Sequence, residues 1–104
     1  MRCLVTADWQ ASWQNIVQCR LVADKVSAVC TAEKLTAIVL AGDIKHTYNP
    51  VDLRVTRFWL ETIERWRHEH LDVVIVQGNH DRTSLRSGNP DWLSILERAG
   101  AAVF

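Results

Sequence analysis

The turn that follows the first apolar run of this chain contains no glycine. That run, Cys3-Leu4-Val5-Thr6-Ala7, leads into Asp8-Trp9-Gln10-Ala11-Ser12. A dinucleotide-binding fold needs a glycine-rich turn there for close approach to a pyrophosphate, so that class is set aside. Charge of one sign is also missing: 12 Lys+Arg stand against 12 Asp+Glu. Such a chain has no global field to draw in nucleic acid, and any contact with it must come from a local patch. Cysteine is sparse. Cys3, Cys19 and Cys30 are odd in number and show no Cys-x-x-Cys spacing, which predicts reduced, buried thiols in a cytoplasmic protein. No apolar stretch approaches the ~18–20 residues of a membrane span. Arg2 precedes only a short apolar run that Asp8 interrupts, so a signal-peptide pattern is absent too. There is no internal repeat, low-complexity segment or inter-domain linker.

What is present is an ordinary globular composition, 48% apolar over 104 residues. That length suits one small domain or part of a larger one. After the first strand, Ser12 to Lys34 reads as a helix. Its apolar stripe is Trp13, Ile16, Val17, Val22, Val26 and Val29. Ala37-Ile38-Val39-Leu40-Ala41 has no polar side chain, as expected of a strand covered on both faces. Leu53 to His68 reads as a second helix capped by Asp52, with Val55, Trp59, Ile63 and Trp66 along one side. Its Arg54, Arg57, Arg65 and Arg67 alternate with Glu61, Glu64 and Glu69 as a solvated face. Val73-Val74-Ile75-Val76 is a third strand. Asn89-Pro90 starts a short helix with Trp92, Leu93 and Leu96 on its apolar face, and Gly100 stops it. Ala101-Ala102-Val103-Phe104 begins a fourth strand. The order β-α-β-α-β-α-β predicts an α/β fold: a mainly parallel sheet with right-handed crossovers and helices on its faces.

Three polar signatures follow the first three strands: Asp8, Gly42-Asp43, and Gly78-Asn79-His80-Asp81. Ligands on an open parallel sheet bind beyond the carboxyl ends of its strands. Neighbouring strands lie ~4.8 Å apart, so Asp8, Asp43 and Asn79 converge if these strands are neighbours. Each Asp alone is also a common turn residue. Together they suggest a site for two divalent ions, with Asp43 as the bridge and Gly42 letting the backbone pass close by. Asn79 offers a neutral oxygen to the second ion. His80 can protonate or orient a leaving oxygen, while Asp81 braces the turn.

These residues resemble the calcineurin-like metallophosphoesterase family. Its signature begins with Asp-x-His, then Gly-Asp, then Gly-Asn-His-Asp/Glu. Asp8-Trp9 is similar to the Asp-Trp-His of the double-strand-break repair nuclease branch and its phage relatives. Gly42-Asp43-Ile44-Lys45-His46, followed by Asn49-Pro50, looks like the matching loop of that branch. The resemblance implies the first half of an αββα sandwich, so that residues 1–104 form a single, partial domain. It implies that Asp8 binds the first metal, Asp43 bridges, Asn79 binds the second metal, and His80 serves the phosphate. It further implies Mn²⁺, with Mg²⁺ or Fe/Zn as alternatives, and phosphodiester hydrolysis on DNA, exonuclease-like.

The pattern departs from the family at two points. Gln10 stands where the family has a metal-binding His, and an amide oxygen is a weaker ligand than imidazole for transition metals. The family's later His residues, ending in Gly-His-x-His, have no counterpart in these 104 residues. A truncated or degenerate non-catalytic relative is therefore one alternative. Half of a split enzyme, completed by a second chain or a missing C-terminal half that supplies His ligands, is another. His68-Glu69-His70 precedes the third strand and so belongs to the opposite sheet edge. His46 is either a contact to substrate phosphate or an exposed loop histidine. Arg82 and Arg86, after the His-Asp turn, can meet a phosphate backbone. Trp9 either stacks a base or packs in the wall, and the rarity of exposed Trp favours the wall.

Overall fold

In the computed structural model, the aliphatic stretch Ala37–Ala41 forms the strand around which the others assemble. The structure describes residues 2–45, 52–77 and 92–104. In chain order these give β1 (Cys3–Thr6), a 3₁₀ turn (Trp13–Asn15), α1 (Ile16–Ala32), β2 (Ala37–Ala41), α2 (Leu53–His68), β3 (Asp72–Val76), α3 (Trp92–Arg98) and β4 (Ala102–Val103). The sheet order is β1-β2-β3-β4 and every pairing is parallel. This is the α/β class expected from the sequence.

The register decides which side chains meet the helices. Ile38 lies beside Val73, and Leu40 beside Ile75. All four are essentially inaccessible and share one core with Val26, Trp59, Ile63 and Leu96 from the three helices. The alternate positions point the other way. There Val5 is 64% and Val76 44% exposed, Val39 and Val74 are half-buried, and Ala41 and Ala102 are exposed. The expectation that β2 is covered on both faces is thus corrected. Sequential strand order with right-handed crossovers puts α1, α2 and α3 on the same side of the sheet.

The second helix follows its sequence closely. Asp52 Oδ1 accepts from the Arg54 backbone N–H at 2.8 Å, as an N-cap should. Val55, Trp59, Ile63 and Trp66 are buried, whereas Arg57–Glu61 and Arg65–Glu69 pair on the outer face. The first helix does not follow its stripe. Its buried residues are Cys19, Ala23, Val26, Ser27 and Cys30, while Trp13, Val17, Leu21 and Val22 are exposed. Small side chains let α1 approach α2 closely enough for Trp66 Nε1 to donate to Ser27 Oγ at 3.1 Å. All three cysteines are free thiols; Cys3 is exposed, contrary to expectation, on the edge strand β1. Burial raises the Cys19 and Cys30 thiols above their ordinary pKa.

Trp92, Leu93 and Leu96 are buried in α3, as their spacing predicts. Asn89-Pro90 lies outside the described residues. Gly100 ends the helix at φ +114°, where a Cβ would come within 3.0 Å of Arg67 Cγ. His68, Glu69 and His70 are exposed at the end of α2 before β3 begins, on the edge opposite the strand ends. No helix among the described residues is long and apolar enough to cross a membrane.

Candidate metal centre at the strand ends

The pairing of β1 with β2 does not stop where the strands end. Asp8 N–H donates to the Gly42 carbonyl (3.2 Å), Gln10 N–H to the Asp43 carbonyl (2.8 Å) and Ala11 N–H to the Ile44 carbonyl (3.1 Å). Ala11 then bridges Lys45 in the same parallel sense. The turn carrying Asp8 and Gln10 is therefore hydrogen-bonded directly to the turn carrying Asp43. Both lie beyond the carboxyl edge of the sheet, where ligands of such folds bind.

These turns have unusual backbones. Asp8, Gln10 and Asp43 have φ of 57°, 45° and 51°, and Gly42 has 88°. Asp tolerates the left-handed region, but Gln does so less readily, at a cost of roughly 1–2 kcal/mol. Local bonds hold Gln10 there. Asn15 Nδ2 donates to the Gln10 carbonyl at 3.1 Å, while Asn15 Oδ1 accepts from Ser12 N–H at 2.8 Å. Strain of this kind concentrates at functional sites.

Trp9 explains why its neighbours face outward. Its ring is buried against Trp59 (centroids 5.0 Å apart), Trp66 (6.3 Å) and Phe58 (6.4 Å). With Trp9 turned into the core, Asp8 and Gln10 are left exposed on either side of it. Wall packing, rather than base stacking, is its role. Trp59 fixes the other turn by donating from Nε1 to the Ile44 carbonyl at 3.0 Å. Asp43 is half-buried just before that anchor.

The structure thus brings together Asp8, Gln10 and Asp43. Asn79, His80, Asp81, His46, Arg82 and Arg86 lie outside the described residues. Among the described residues, no group of three His, Cys, Asp or Glu side chains clusters as a metal cage. β3 ends at Val76 beside Ala41 of β2, so its carboxyl end adjoins the Gly42-Asp43 turn. By residue type these turns offer two carboxylates and an amide, oxygen donors of the kind that suit a hard divalent ion.

Sequence reasoning does not bring Lys45, Trp13 and Arg54 together; the fold does. Lys45 is buried, with Nζ 5.3 Å from the centroid of the Trp92 ring. Arg54 places its guanidinium carbon 4.7 Å from the Trp13 ring centroid. Helical periodicity assigns Trp13 to the core, and its exposure corrects that. The signal against a core position is the pair Ser12 and Asn15, whose side chains favour a helix start and put Trp13 in the first, outward turn.

A family model described as calcineurin-like phosphoesterase matches residues 1–101. Members of that family use divalent metals. Over 99 residues the chain is also 33% identical to a protein of Bacillus subtilis (strain 168) named as a subunit of the nuclease SbcCD. The match covers 90% of this chain and 24% of that protein, so the chain spans about a quarter of the length of the curated relative it matches.

Proposed function

The chain belongs to the calcineurin-like phosphoesterase family, and from that premise we propose that it is the first part of a divalent-metal-dependent phosphodiesterase acting on DNA, in the manner of an exonuclease. The observation that carries this is the hydrogen-bonded pair of turns bearing Asp8 and Asp43 at the ends of adjacent parallel strands. Similarity to a protein named for a nuclease supports the choice of substrate. A cytoplasmic location accords with three free thiols.

In this proposal Asp8 and Asp43 hold the ions, with Asn79 as a third ligand and Gln10 as a weak fourth. The ions, for which Mn²⁺ is the first choice and Mg²⁺ or Fe/Zn the alternatives, supply Lewis acidity and a lowered water pKa. Asp43 follows β2, the strand between β1 and β3, and is suited to bridging. His80 donates a proton to the leaving oxygen. His46 and Arg82 are substrate contacts, and a further chain segment or a second chain provides the remaining His ligands.

The test is hydrolysis of bis-p-nitrophenyl phosphate with Mn²⁺. Asp43→Ala should lower the rate at least ~100-fold, because removing one ligand disrupts both metal affinity and charge stabilisation. Full activity in that variant would overturn these roles. A specific observation favours a second possibility, a degenerate, weakly metal-binding relative. Gln10 keeps the strained turn intact while presenting an amide where the family has imidazole. Gln10→His distinguishes the two. If the site is merely weakened there, the variant gains Mn²⁺ affinity by ~10-fold or more, read by calorimetry. An inactive wild type together with no gain on Gln10→His would establish the non-catalytic alternative.

A further inference from the structure

Of the five tryptophans, Trp9, Trp59, Trp66 and Trp92 are buried, while Trp13 is 51% exposed. Trp13 lies three residues after Gln10 in the 3₁₀ turn that leads into α1. Beside it opens a cavity of about 160 Å³ lined by Ala11, Ser12, Trp13, Lys45, Asp52 and Val55. The cavity therefore adjoins the Asp8–Asp43 turns: Ala11 follows Gln10, Lys45 is two residues beyond Asp43, and the two are bridged. Arg54 is held against the Trp13 ring by Asp52, which accepts from Arg54 Nε (3.1 Å) and Nη2 (3.0 Å). Both partners of the stack remain largely exposed, with 63% of the Arg54 side chain accessible.

We propose that Trp13 and Arg54, at the mouth of the cavity that Lys45 lines, form a subsite for the nucleotide next to the scissile phosphate, with its base stacked on Trp13 and its phosphate drawn to the Arg54 guanidinium. This rests on the phosphodiesterase reading above and specifies how the substrate strand is held. An exposed, immobilised indole offers a π-face to any base, and an adjacent cation strengthens the stack. The net charge of the chain is zero, so attraction to a nucleic acid must be local. Asp52 engages one edge of the guanidinium, and the planar fork presents a second edge to a phosphate. Stacking is sequence-tolerant, so the subsite takes single-stranded DNA with little base preference.

The test is fluorescence anisotropy of a labelled oligothymidine in low salt with EDTA, where metal and hydrolysis play no part. Trp13→Ala should weaken binding about tenfold or more. Trp13→Phe, which keeps a stacking face, should stay within about threefold, and both should retain the wild-type circular dichroism. Rising salt should weaken wild-type binding as phosphate contacts are screened. Equal affinity in Trp13→Ala, or no binding by the wild type, overturns the subsite. A change in oligomeric state on Trp13→Ala without a change in affinity also overturns it and identifies a protein partner at this surface. Trp13-dependent binding by a protein that fails to hydrolyse bis-p-nitrophenyl phosphate and gains no Mn²⁺ affinity on Gln10→His overturns the catalytic proposal alone. Hydrolysis with Trp13-independent binding overturns only the subsite.

Discussion

Two tryptophans in one aromatic cluster illustrate how differently the same side chain can serve a site. Trp59 Nε1 donates to the Ile44 carbonyl and so pins the turn after Asp43. Trp9 Nε1 is buried and finds no partner among the described residues. An unmet buried donor costs roughly 1–3 kcal/mol. Replacing Trp9 by Phe removes that donor, which offsets the space left by the smaller ring. Replacing Trp59 by Phe leaves a similar space and removes one of the two hydrogen bonds that the Ile44 carbonyl accepts, the other coming from Ala11 N–H. Trp59→Phe should therefore be less stable than Trp9→Phe by at least ~1 kcal/mol in urea unfolding. It should also bind Mn²⁺ more weakly; equal stabilities would refute this division of roles. Asp8 and Asp43 are legible in the sequence because a carboxylate after an aliphatic strand marks a sheet edge. Trp13 is not legible, since spacing alone assigns a residue to a face without saying whether that face meets the core.

At the level of elements, α1 and α2 differ in how far periodicity describes them. In α2 the large apolar residues fall on one side and arginines with glutamates on the other, so pattern and burial agree. In α1 apolar residues occur all round, and apart from Val26 the residues that packing buries are small, Cys19, Ala23, Ser27 and Cys30, because they allow closer approach. The cap of α2 gives a pH-dependent prediction. The hydrogen bond from the Arg54 side chain, assisted by backbone N–H bonds, holds the Asp52 carboxyl below its ordinary pKa of 3.8. A depressed folded-state pKa means that its stabilisation is present above that ordinary value and is lost as pH falls through the folded one. Asp52→Asn keeps a cap oxygen without the charge. The wild type should exceed it by under ~1 kcal/mol at neutral pH, given the exposure of Arg54. The difference should begin to fall as pH drops below the ordinary carboxyl value and vanish once pH is below the folded-state one. A pH-independent difference in urea midpoints would show that the charge contributes nothing.

For the molecule as a whole, the consequential fact is the sequential strand order. It gathers the helices on one side and leaves Val5, Val39, Ala41, Val74, Val76 and Ala102 on the other. Wholly parallel sheets occur almost only with both faces covered. The 104-residue chain by itself should therefore self-associate through this face, seen as a sedimentation coefficient that rises with concentration. Val5→Lys combined with Val76→Lys should keep the circular dichroism and remove the association, because two charges on each facing surface repel. A wild-type chain that stays monomeric at every accessible concentration would contradict this.

Local physics is sufficient for the element order, the parallel sheet, the cap at Asp52 and the positions of Asp8 and Asp43 at strand ends. Each of those depends on short-range properties: aliphatic runs, helical spacing and the turn preference of Asp and Gly. Only tertiary structure decides that the Asp8 and Asp43 turns bond to each other, that Trp9 turns inward while Trp13 stays out, and that α1, α2 and α3 gather on one sheet face. Those outcomes depend on which strands become neighbours and on which side the crossovers pass. They arise from packing between segments far apart in the chain, a property no stretch of sequence carries by itself.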